Sequence, residues 1–162
     1  MNTQQLIERS HRQSVDKGFW DVPMSFHMAM ALISSEIMEA LEAYRKGRIN
    51  PDWNDTQAVK ESFEVELADG EIRIKDWCGR HNYEIEIEDI NYTWSMDEGE
   101  NFMLLLEACV HAWRSDNKES SMEDLFNVIL SYSNHHKVDI ERYIEWKLDY
   151  NMSRPYKHGK QF

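Results

Sequence analysis

A chain of 162 residues is long enough to bury one sizeable core, and its 41% hydrophobic and 12% aromatic content excludes a disordered segment. A formal net charge of −12 excludes non-specific attraction to nucleic acid or to an anionic membrane. No apolar run approaches the ~20 residues that a membrane-spanning helix needs, so neither nucleic acid nor membrane is expected among its partners.

Only six Gly and three Pro, in a sequence rich in Glu, Met, Leu, Ala and Ile, predict an all-α fold. The pattern suits an antiparallel bundle of about five to six helices, with residues 1–162 as a single domain. Residues 2–14 read as a short amphipathic helix anchored by Leu6. A loop with adjacent aromatics follows (Gly18-Phe19-Trp20-Asp21-Val22-Pro23), and Pro23 is placed to open a helix over 24–46 that stops at Gly47. After a polar loop with Asn54 or Asp55 as N-cap, one long helix is expected over 56–80, where Gly70 marks close approach of another backbone or a ligand. Residues 82–96 read as a short helix or irregular connector. Helices over 98–114 and 121–136 come next, the second opened by a capping box at Ser121-Met122-Glu123-Asp124, and a last one spans 139–151. Pro155 ends the helical pattern, leaving 152–162 as an extended basic tail.

Two short acidic pairs stand out, Glu36-Ile37-Met38-Glu39 and Glu66-Leu67-Ala68-Asp69. Spacing of i,i+3 puts both carboxylates of a pair on one helical face. For Glu36 and Glu39 that face also carries Ala29, Leu32, Ile33, Ala40 and Ala43, so two acids interrupt an inward apolar stripe, whereas Glu42 turns outward. Buried carboxylates require a cation, and a divalent metal shared by both pairs is the economical partner. The competing reading leaves Glu36 and Glu39 solvated, since acidic i,i+3 pairs are common on helix surfaces. A di-iron carboxylate centre is set aside, because it needs Glu-x-x-His motifs on facing helices and the sequence holds a single one, Glu8-Arg9-Ser10-His11.

Charge is distributed unevenly. Lys147, Arg154, Lys157 and Lys160 against Asp149 give residues 147–162 a charge of +3, leaving −15 on the rest. Lys147 and Asn151 share a face of the last helix, and the short cationic end suits phosphate oxygens. Cys78 and Cys109 are isolated, which points to a reduced, cytoplasmic setting without a disulfide framework.

The stretches Leu32-Ile33-Ser34-Ser35-Glu36-Ile37-Met38-Glu39-Ala40-Leu41-Glu42-Ala43, Glu66-Leu67-Ala68-Asp69, and Lys147 through Lys160 together resemble the all-α nucleoside triphosphate pyrophosphohydrolases of the MazG-like superfamily. That resemblance implies Mg²⁺-dependent (or Mn²⁺-dependent) cleavage of a nucleoside triphosphate between its α and β phosphates, giving a monophosphate and pyrophosphate in nucleotide-pool sanitation. It implies Glu36, Glu39, Glu66 and Asp69 as metal ligands, one of them doubling as base, and Lys147, Asn151, Arg154, Lys157 and Lys160 as phosphate contacts. Residues 82–136 depart from the shortest family members. Some members carry a Lys one turn before the third ligand, where this chain has Ser62.

Trp20 and His27 are candidates for contacting the base, Trp20 by stacking and His27 by a hydrogen bond, each against a plain packing role. Arg73, two turns beyond Glu66 on the same face, is expected to pair with an acid or to reach phosphate. The aromatic-rich amphipathic helices hold more apolar face than one small bundle hides, so a homodimer or homotetramer is expected. Two other classes of function stay open: a metal- and nucleotide-binding module without turnover, and an acidic helical mimic of DNA.

Overall fold

A computed structural model describes residues 1–88 and 92–159. Its regular structure is entirely helical: α1 (Thr3–Asp16), α2 (Phe26–Arg45), α3 (Thr56–Lys60), α4 (Phe63–His81), α5 (Glu98–Arg114), α6 (Lys118–His135) and α7 (Ile140–Met152), followed by a 3₁₀ turn at Tyr156–Gly159. No helix among the described residues is long and apolar enough to cross a membrane.

Local side chains set most helix starts. Asn2 closes a capping box with Gln5, Ser25 accepts from the Met28 amide, Asp55 takes the amides of Gln57 and Ala58, and Asn117 caps α6. Three expected boundaries move for this reason. Ser25, not Pro23, opens α2, and Asn117 opens α6 four residues ahead of the Ser121 motif. The single helix expected over 56–80 breaks at Glu61–Ser62, because the Ser62 hydroxyl caps the Val65 amide and starts α4 afresh. Gly47, at φ +68°, follows the end of α2, as its lack of a side chain permits.

Helix α4 is the central element, packing against α1, α2, α6 and α7. Phe26 meets Trp77 while Tyr44 meets Phe63, so α2 and α4 run in opposite senses. Ile33, Ile37, Ala40, Phe63, Leu67, Ala68 and Ile74 are sealed between them. Close approach occurs at Gly79 rather than Gly70. A Cβ at Gly70 would make ordinary contacts with Ile129 and Glu36, whereas one at Gly79 would lie 2.5 Å from the His11 side chain, so Gly79 lets α1 lie against α4.

Residues 83–88 form neither helix nor strand. They run beside α6, where the Glu86 amide donates to Glu123, the Glu88 amide donates to Asn127 Oδ1, and Asn127 Nδ2 donates to the Glu86 carbonyl. The tail is folded back rather than extended. The Lys157 amide donates to the Lys17 carbonyl, Lys17 Nζ donates to the Met152 and Arg154 carbonyls, and Tyr156 covers Gly18 so closely that a Cβ there would collide with its ring.

Candidate active site

The i,i+3 spacing on α2 and on α4, with the helices opposed, brings the two acidic pairs to one wall of a cavity of about 590 Å³. Ligand oxygens of Glu36, Glu39 and Glu66 all lie within 4.8 Å of one another. Glu36 is buried at the base, Glu66 is half-buried, and Glu39 is exposed at the mouth. Asp69 also lines the cavity, but its Oδ2 is held at 2.5 Å by Lys147 Nζ.

Cations reach this wall from two helices. Arg73 Nε and Nη2 converge on Glu36 Oε1 at 2.6 and 2.5 Å, so Arg73 pairs with an acid. Lys147 comes from α7 with Asn151 one turn on, both buried, and Arg154 donates to Asn151 Oδ1 at 3.4 Å. Lys60 and Lys17 complete the basic lining.

Among the described residues, direct ion pairs reach only Glu36 and Asp69 of the four acids. Burial first, and then the Asp69 charge, pushes the Glu66 carboxyl up to about 8. Burial likewise raises Glu36 above the usual carboxylate range, against the opposing pull of Arg73. For Lys147 burial disfavours the ammonium, yet the attraction of Asp69, Glu66 and Glu36 outweighs it and holds the pKa above the ordinary lysine value. Among the described residues, no hydrogen bond or ion pair engages the Glu66 carboxylate. Three converging oxygens, one of them without a partner and held toward its neutral form, are the donor set a hard divalent cation takes. The residues present therefore fit such an ion.

Other expected contacts fall elsewhere. Trp20 spends its indole N–H on Asp76 at 2.8 Å and packs its ring near Trp77, lining a small neighbouring recess instead of the main cavity. Exposed His27 accepts from Trp113 Nε1 at 2.8 Å and is not part of the lining. Lys157 Nζ lies over the Tyr156 ring at 6.0 Å and does not line the cavity either. Lys160 is outside the described residues. In their place, Phe19, Met24, Leu32 and Ile72 make the apolar part of the lining, and Ser10, Gln13, Ser14 and Lys17 supply a polar edge from α1 and its end. The wall from α1 carries no motif. Gln13 at least marks the docking of this helix, since its Nε2 donates to the Leu148 carbonyl across 135 positions of sequence.

Comparisons with known proteins return no matching family model, no matching curated protein and no matching solved structure.

Proposed function

We propose that this chain is a Mg²⁺-dependent nucleoside triphosphate pyrophosphohydrolase of the MazG-like kind, an antiparallel helical bundle that cleaves between the α and β phosphates. The observation that carries the reading is the convergence of Glu36, Glu39 and Glu66 oxygens within 4.8 Å, in a cavity that also holds Lys147, Asn151 and Arg154.

Glu36, Glu39 and Glu66 hold the divalent ion in this reading, and Asp69 orients Lys147 beside it. When bound, the ion supplies positive charge to the phosphate oxygens and acidifies a water. Lys147 and Arg154 take the charge of the triphosphate, and Asn151 fixes its position by a neutral hydrogen bond. A carboxylate of the quartet accepts the proton of the attacking water. The water oxygen bonds to phosphorus as the bridging P–O bond breaks, and pyrophosphate and a monophosphate leave. Phe19, Met24, Leu32 and Ile72 offer the base an apolar surface at the cavity edge.

A panel of standard and modified nucleoside triphosphates with Mg²⁺, resolved by anion-exchange chromatography, tests this. Monophosphate plus pyrophosphate in equal amounts is the expected product pair. Diphosphate plus inorganic phosphate, or no turnover of any nucleotide, would overturn the proposal.

A further inference from the structure

Away from the acidic cavity, the start of α5 meets the end of α6. Ligand atoms of Glu98, His135 and His136 lie within 4.8 Å of one another there, and none of the three lines the cavity. Glu98 is the first residue of α5, His135 the last of α6, and His136 its C-cap.

The two oxygens of Glu98 are used differently. Oε2 accepts from the Tyr132 hydroxyl at 2.7 Å and from Asn101 Nδ2 at 3.2 Å, which fixes the carboxylate plane. Oε1 faces His136 Nε2 at 3.4 Å, beyond the usual range for an N–H···O bond. His136 Nε2 is itself buried without a hydrogen-bond partner. The pair is an ion-pair contact longer than a full hydrogen bond, a separation that an ion held between the two atoms would also satisfy.

The spacing suits a metal. Two ligands about 2.0–2.1 Å from a tetrahedral ion stand about 3.3 Å apart, close to the observed nitrogen–oxygen separation. Rings of Tyr44, Phe63 and Tyr132 surround His136 at 5.9, 5.1 and 4.8 Å and hold its orientation. Tyr132 and Asn101 occupy the outer positions that orient a ligating carboxylate. The backbone carbonyls at the end of α6 add partial negative charge.

We infer that Glu98, His135 and His136 form a second metal site, taking a borderline divalent ion of the zinc class through two imidazoles and one carboxylate, with water completing the shell. The donor set differs from that of the cavity. Nitrogen ligands select zinc-like ions, whereas the all-oxygen set of the cavity suits magnesium.

Co²⁺ added to the full chain reports the donor set by its visible absorption, which is intense for four-coordinate nitrogen–oxygen sites and weak for six-coordinate oxygen sites. One equivalent is expected to give the intense spectrum, to be displaced by Zn²⁺ and to be indifferent to excess Mg²⁺. Exposed His135 can be replaced without disturbing the core, so His135→Ala should keep the far-ultraviolet circular dichroism and lower Zn²⁺ affinity by at least about 10–100-fold, what even an outer partner is worth. Glu98→Gln, which retains an acceptor for Tyr132, should lower it as well. A weak spectrum only, or unchanged Zn²⁺ affinity in both variants, would overturn the second site while leaving the pyrophosphohydrolase proposal standing.

Discussion

Two acidic groups on α4, little more than a turn apart, meet opposite fates. Glu71 is 0% exposed and shares a hydrogen-bonded ion pair at 2.7 Å with Lys75, itself 2% exposed, whose ammonium also lies 4.2 Å from the centre of the Phe126 ring. One anion meets one cation, and the pair is closed to water. Glu66 shares a cavity wall with Glu36, Glu39 and Asp69, against direct ion pairs, among the described residues, from Arg73 and Lys147 alone. That wall opens to solvent at Glu39. Burial of an acid does not separate the two. Direct pairing and access do: a paired, sealed carboxylate serves packing, and open oxygen ligands without a direct partner are where a cation and an anionic substrate can enter.

Breaking the sealed pair should have the largest effect on stability. Lys75→Met leaves Glu71 buried without its cation, and its Oε1 already has no hydrogen-bond partner. We expect a loss of about 3–5 kcal/mol in urea unfolding, much of the stability of a typical domain. The double variant Glu71→Gln/Lys75→Met should recover most of that loss. A single variant as stable as wild type would mean that the pair is not the closed unit described here.

Next comes Glu39→Gln. The side chain is exposed, so thermal unfolding should hardly change, while turnover should fall by about 10²–10³-fold, the range for losing one electrostatic stabiliser. Wild-type turnover in this variant would remove Glu39 from the proposed metal set.

How far the sequence could be read follows from the range of the interactions. The face of α2 was legible because Glu36, Ile33, Ala40 and Ala43 are related by helical spacing alone. Caps are legible in principle, but the break at Ser62 is masked by a helical pattern that continues through it. Nothing local announces that Arg73 turns to Glu36, that Lys147 reaches Asp69 from 78 residues away, or that α1 walls the cavity. These depend on packing between distant helices. Trp20 shows the converse hazard: near the helices of the acidic pairs in sequence, it is drawn off by the buried Asp76 carboxylate.

Proton linkage gives a smaller effect with a definite sign. Glu66 rises from 4.5 to about 8 on folding, so its contribution to stability is fully present below pH 4.5 and is lost as pH climbs toward 8. In chelator, the melting temperature should therefore fall across that window, and Glu66→Gln should flatten the slope. An ion that binds the ionised carboxylates stabilises the folded form by mass action. The Mg²⁺-induced rise in melting temperature should then grow from pH 5 to pH 8. A Mg²⁺ shift that does not depend on pH would place the ion away from Glu66.

Least of all should follow from Glu42→Gln. This carboxylate lies one turn beyond Glu39 on α2 but points outward, pairing with Lys46 at 2.9 Å and Arg45 at 3.2 Å on an open surface. Exposed pairs of this kind are screened by solvent and cost side-chain freedom to form, so their loss is barely felt. Neither turnover nor the Mg²⁺-induced rise in melting temperature should change. Glu39→Gln and Glu42→Gln each remove one negative charge from the same helix, differing only in whether that carboxylate converges with Glu36 and Glu66. If both variants lost activity equally, overall acidity rather than convergence would govern the site, and the distinction between the open wall and the rest of the acidic surface would fail.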